Sequence, residues 1–125
     1  MIMDLESIVI VDDDINLCKV LSEELKEVGY NADYVTNADA LFRYLDEGKP
    51  VDLILLDLKM PIKDGFYVLK RMQLEGIKKK VIVLTAFADL KSAMESAKLG
   101  AADFVSKPYD LDELIISIRN VLQLK

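Results

Sequence analysis

Five strand-length apolar runs alternate with helical repeats along the chain, and that alternation limits the folds open to it. The strand candidates are Ser7–Val11 (SIVIV), Ala32–Thr36, Leu53–Leu56 with its flanks, Lys80–Thr85 (KVIVLT) and Asp103–Val105 with its flanks. β-Branched residues dominate the first and fourth, as a pleated, buried surface favours. Between them lie helical patterns. Leu17, Val20, Leu21, Leu25 and Val28 repeat at three and four, and Gly29 ends that helix. Ala38–Glu47 follows, with Asn37 as N-cap. Phe66–Glu75, Asp89–Leu99 and Leu111–Leu124 complete the set, and Asp110 and Glu113 have capping-box spacing before the last.

Strands alternating with helices predict a parallel sheet covered on both faces, with right-handed crossovers. The expected fold class is α/β, a doubly wound five-stranded parallel sheet of flavodoxin-like order 2-1-3-4-5. Nothing in the composition divides the chain, so residues 1–125 are expected to form a single domain, either standing alone or as the N-terminal part of a longer protein. In that order the first and third strands are neighbours. Ligands bind in the crevice at their carboxyl ends.

Composition narrows the function. The 125 residues are 52% hydrophobic, ample for one core, and carry a formal net charge of −6. Direct nucleic-acid binding is not expected, because phosphate backbones select a basic footprint. The one basic run, Lys78-Lys79-Lys80, reads as a solvated turn. No apolar run approaches the ~20 residues that span a bilayer. Met1–Ser7 has acids where a secretory leader carries bases. A single cysteine, Cys18, fits a reducing compartment, and a cytoplasmic location is expected.

The third strand ends on Asp57, and the first on Asp12, Asp13 and Asp14. A buried lone carboxylate is costly, so these acids need relief. A hard divalent cation supplies it, and oxygen ligands select Mg²⁺, with Mn²⁺ as a substitute. The absence of histidine removes the usual zinc sites and imidazole acid–base chemistry. The fourth strand ends on Thr85, and the fifth leads into Lys107-Pro108. A hydroxyl and an ammonium beside a metal are suited to holding a phosphoryl group on Asp57, the candidate nucleophile.

In this ordered set the sequence resembles the receiver domains of two-component response regulators. The pattern is an acidic pair after strand one (Asp12, Asp13), Asp57 within "LLDLKMPIKDG", Thr85 in "LTA" and Lys107 in "DFVSKP". The resemblance covers essentially the whole chain and implies a role for each residue. Asp57 accepts phosphoryl from a sensor histidine kinase or histidine phosphotransfer protein. Asp13, Asp57 and the backbone carbonyl of Lys59 ligate Mg²⁺, and Asp12 acts through a metal-bound water. Thr85 and Lys107 bind phosphoryl oxygens, Thr85 and Phe104 form the switch, and Lys107-Pro108 is a cis peptide. The fourth helix, fifth strand and fifth helix present the surface read by an output domain or by a second copy in a homodimer.

Blander readings stand beside these. Asp12–Asp14 can cap the first helix, and Asp14 by itself is expected to do so; Thr85 can be a plain strand residue, Lys107 a turn lysine and Phe104 fixed core. Cys18 reads as a small apolar filler, and Asp64-Gly65 as a turn. Pro108 and Tyr109 form either a kinase-docking surface or a loop with an exposed aromatic. The apolar excess of the fifth helix (Ile116 and Leu124 among it) signals either a partner or tight edge packing. A rival function is a Mg²⁺ phosphohydrolase with an aspartyl nucleophile. Such enzymes place a second carboxylate two residues on, where this chain has Lys59, so a slow switch and not a turnover enzyme is expected. An FMN-binding fold is the other rival, and the loop "VDDDIN" repels a phosphate. Lys59 and Phe87 flank the pocket and are expected to shield an acyl phosphate from water.

Overall fold

A computed structural model describes residues 4–124, so Met1 to Met3, part of the stretch read as lacking a leader, lie outside it. The chain runs β1 (Ser7–Val11), α1 (Ile15–Val28), β2 (Asn31–Val35), α2 (Ala38–Asp46), β3 (Leu53–Leu56), α3 (Gly65–Leu74), β4 (Lys80–Thr85), α4 (Leu90–Lys98), β5 (Asp103–Ser106) and α5 (Leu111–Leu122). All strand pairs are parallel, in the order β2-β1-β3-β4-β5. The expected doubly wound sheet is present.

Alternation along the central strands builds two cores. Ile8, Ile10, Leu53, Leu55, Ile82 and Leu84 face α1 and α5, against Leu21, Leu25, Leu114 and Ile118. Val9, Val11, Ile54, Leu56 and Val81 face the other way, against Leu41 and Phe42 of α2 and Val68, Leu69 and Met72 of α3. Side chains alternate across a strand, so strands buried on both faces must be apolar throughout. β1 and β3 are buried at every position. The apolar excess of α5 is mostly core: Leu114, Ile115, Ile118 and Val121 are buried, and Ile116 is exposed. Among the described residues, no helix is long and apolar enough to cross a membrane.

Side-chain caps set the helix starts. Asp14, Asn37, Asp64, Asp89 and Asp110 each accept a backbone N–H from three residues on, satisfying donors the first turn leaves open. Asp89 is therefore a cap and α4 begins at Leu90, one residue later than its sequence pattern suggests. Asp64-Gly65 is a helix start and not a free turn.

Lys78 and Lys79 are exposed, as their solvated reading expects, and only Lys80 departs from it. Lys80 is the first residue of β4, and its Nζ donates to the carbonyls of Leu122 (3.1 Å) and Leu124 (2.5 Å). A lysine from the sheet thus caps the carboxyl end of α5, where orphan carbonyls and the helix dipole favour a cation.

Candidate phosphoacceptor and metal site

The parallel sheet brings all five strand ends to one side, and the 2-1-3-4-5 order sets β1 and β3 side by side there. Val11 pairs with Leu56 in the register, so Asp12 and Asp57, one residue further on, share a cleft. Backbone bonds pin both: the Asp57 N–H donates to the Val11 carbonyl at 3.0 Å, and the Asp12 N–H to Val35 at 3.2 Å.

Within the acidic triplet the roles separate. Asp14 caps α1, accepting the Leu17 N–H at 3.1 Å. Asp12 is buried, and its Oδ1 accepts the Asp14 N–H at 3.0 Å. Asp13 is exposed at the rim. Carboxylate oxygens of Asp12, Asp13 and Asp57 lie within 4.8 Å of one another. The cap reading thus holds for Asp14, and the cleft reading for its two predecessors.

Lys107 threads into this cluster from the loop after β5. Its Nζ donates to Asp12 Oδ2 at 2.6 Å and to Asp57 Oδ2 at 3.2 Å. The Lys107-Pro108 bond is cis, as the resemblance implied. Burial pushes the Asp12 carboxyl above its ordinary value, and the Lys107 hydrogen bond offsets only part of that. Burial acts to lower the Lys107 ammonium, but the Asp12 bond and the Asp12 and Asp57 charges outweigh it, so its pKa is raised. Three carboxylates and one ammonium leave a formal charge of −2 at a site whose other donors are oxygens. That charge and that donor set fit a hard divalent cation.

The second Asp57 oxygen, Oδ1, accepts the Lys59 N–H at 3.1 Å. Thr85 is fully buried at the end of β4, and its Oγ1 accepts the Phe87 N–H at 3.2 Å. The Lys59 ammonium lies over the Phe87 ring, 4.8 Å from its centroid. The two residues expected to flank the pocket are therefore in contact, joining the β3–α3 and β4–α4 loops. Phe104 is half-buried on β5.

Two details escape a sequence reading. Tyr109 is half-buried, and its hydroxyl donates to Glu24 Oε1 of α1 at 2.5 Å, so it is not a free loop aromatic. Gly65 packs against the backbone just after β3, where a Cβ would stand 2.5 Å from the Asp57 carbonyl oxygen. Cys18 is fully buried, as an apolar filler should be, and its thiol donates to the Asp12 carbonyl at 3.4 Å. Burial, with the Asp12 charge nearby, pushes that thiol up to about 11.

Comparison with known proteins shows the family. The response regulator receiver domain family matches residues 8–119, and the chain belongs to that family. It is a receiver domain of two-component signalling, a class of phosphorylation-activated switches that bind Mg²⁺ at an acidic pocket and interact with histidine kinases and output domains. Sporulation initiation phosphotransferase F of Bacillus subtilis is 36% identical over 120 residues, covering 96% of each chain. Regulatory protein AtoC of Escherichia coli is 36% identical over 118 residues, and the match spans 94% of this chain but 25% of that protein. The solved structure of response regulator protein TrrA from Thermotoga maritima, in complex with Mg(2+)-BeF, is similar with a TM-score of 0.82 and 31% identity, covering 94% of this chain and 99% of that one.

Proposed function

We propose that Asp57 is the phosphoacceptor, taking its phosphoryl group from a phosphohistidine on a sensor histidine kinase or phosphotransfer protein. An Asp57 carboxylate oxygen forms the new O–P bond while the P–N bond breaks, and its electron pair returns to the imidazole nitrogen. The observation that carries this reading is the convergence of Asp12, Asp13 and Asp57, over forty residues apart along the chain, in one cluster whose Asp12 and Asp57 share the ammonium of Lys107. Mg²⁺ or Mn²⁺, when bound, supplies charge neutralisation for the phosphoryl oxygens. Asp13, Asp57 and the Lys59 carbonyl would hold it, with Asp12 reaching it through water. The Mg(2+)-BeF complex of the Thermotoga relative supports a Mg²⁺ site in this fold.

Lys107 and Thr85 bind the phosphoryl oxygens. Thr85 then gives up the Phe87 N–H, and Phe104 turns inward behind it. The β4–α4 segment has two packings, and the phosphoryl charge biases them. An output domain or a second copy reads the change on α4, β5 and α5. Leu90 and Met94 of α4 and Ile116 of α5 are exposed there and support the assignment. The protein works in the cytoplasm and this domain does not bind nucleic acid directly. Turnover hydrolysis is disfavoured, because the position two residues beyond Asp57 carries the ammonium of Lys59 in place of a carboxylate. Incubation with acetyl phosphate and Mg²⁺, followed by intact mass, should show one added phosphoryl group. It should be absent from Asp57→Asn. A wild-type mass unchanged by acetyl phosphate would overturn the reading.

A further inference from the structure

Ile62 breaks two rules at once. Its φ is 69°, in the left-handed region, and it is a β-branched residue. A branched Cβ meets the neighbouring carbonyl in that conformation, which is why glycine or asparagine usually stands there. Its side chain is also fully exposed, so no burial within the chain repays the strain. The loop around it is nevertheless held. Pro61 precedes it, and the Lys63 Nζ donates to Asp39 Oδ1 of α2 at 2.8 Å and lies 5.5 Å from the Tyr67 ring centroid. The next turn is fixed by the Asp64 cap and by the Gly65 N–H, which donates to the Leu58 carbonyl at 3.0 Å. A strained, solvated isoleucine on an anchored loop points to use outside the molecule.

Its position says where. Ile62 follows the end of β3, five residues beyond Asp57. Ile15 follows the end of β1, Phe87 the end of β4 and Pro108 the end of β5, and all three are exposed. The parallel sheet puts these strand ends on one side of the molecule, so these exposed apolar residues share the side on which the acidic pocket opens. Apolar contacts around a central polar group that must be desolvated are the anatomy of a protein interface. A small phosphodonor such as acetyl phosphate carries no protein surface to meet these apolar residues.

We infer that Ile62 is an apolar anchor for the phosphohistidine-bearing protein donor, held outward in a strained conformation so that it docks when the donor's phosphoryl group meets Asp57. The inference rests on the phosphoacceptor reading above. It implies that Ile62 serves transfer from a protein and is indifferent to transfer from a small molecule. It also implies that the isolated domain is less stable for keeping isoleucine there.

The test compares Ile62→Gly and Ile62→Asp with wild type. One donor is acetyl phosphate with Mg²⁺. The other is a radiolabelled, autophosphorylated histidine kinase core chosen because it phosphorylates the wild-type chain. Ile62→Gly should melt about 3–6 °C higher, because glycine relieves the backbone. Both variants should take phosphoryl from acetyl phosphate at the wild-type rate. Transfer from the kinase should slow about tenfold or more, with Ile62→Asp the slower. Kinase transfer within twofold of wild type in both variants would overturn the inference, as would an equal slowing with acetyl phosphate, which would mean a distorted site. An Ile62→Gly melting point at or below wild type would refute the strain argument. Failure of acetyl phosphate to label wild-type Asp57 would count against the phosphoacceptor reading itself and is read separately.

Discussion

Replacing Lys107 with methionine tests the charge balance on which the site depends. The ammonium contacts Asp12 at 2.6 Å and Asp57 at 3.2 Å. The three side chains are 16%, 3% and 8% exposed, so solvent screens them weakly. Methionine keeps much of the stem's volume and removes the charge. Two carboxylates within 4.8 Å then face each other. At an effective dielectric near 20, unit charges at that separation repel by about 3.5 kcal/mol. Breaking one side of a buried ion pair costs about 3–5 kcal/mol in general, which agrees. Urea unfolding in EDTA should therefore show Lys107→Met less stable than wild type by about 3–4 kcal/mol. A divalent cation supplies the missing positive charge. Mg²⁺ at tens of millimolar should recover much of the loss, through binding to the native state alone. Its stabilising effect should be larger in the variant than in wild type. A variant as stable as wild type in EDTA would refute the electrostatic argument. So would a Mg²⁺ response no larger than that of wild type.

Other consequences can be checked directly. Gly65→Ala places a Cβ 2.5 Å from the Asp57 carbonyl oxygen and 2.7 Å from the Leu58 Cα, both backbone atoms. It should cost about 1–3 kcal/mol in urea unfolding and slow labelling by acetyl phosphate. Lys59→Asn and Phe87→Ala each open the contact over the pocket and should speed loss of the phosphoryl group several-fold; unchanged rates in both would end the shielding idea. Burial and the bond to Glu24 raise the Tyr109 phenol above its ordinary value of 10. The fold thus favours the protonated form. Its contribution is complete below about pH 10 and is lost as the pH climbs further towards the raised value. Tyr109→Phe should flatten the alkaline limb of a stability-versus-pH curve, measured by urea unfolding.

The strand ends were legible because period and order are local signals with a global consequence. Five βα units imply the strand order, and the order places Asp12, Asp13 and Asp57 together. The sequence is silent wherever a side chain's partner is distant along the chain. Lys80 looked like one more surface lysine because its carbonyl partners are 42 and 44 residues away. Tyr109 looked exposed because Glu24 is 85 residues away. The apolar excess of α5 could be divided between core and surface only once the helix was seated on the sheet. Ile62 carried no signal, since isoleucine argues against the backbone conformation it adopts. Asp89 is a smaller case: a cap belongs to the helical pattern without being in the helix, so the pattern starts one residue before α4 does.

β4 joins two of the features described above. Thr85 closes it at the acidic pocket, and Lys80 opens it with a grip on the last carbonyls of α5. Six extended residues span about 20 Å. Flanked by strands on both sides, this segment joins the acidic pocket to the tip of a helix by extended backbone alone, with no intervening loop.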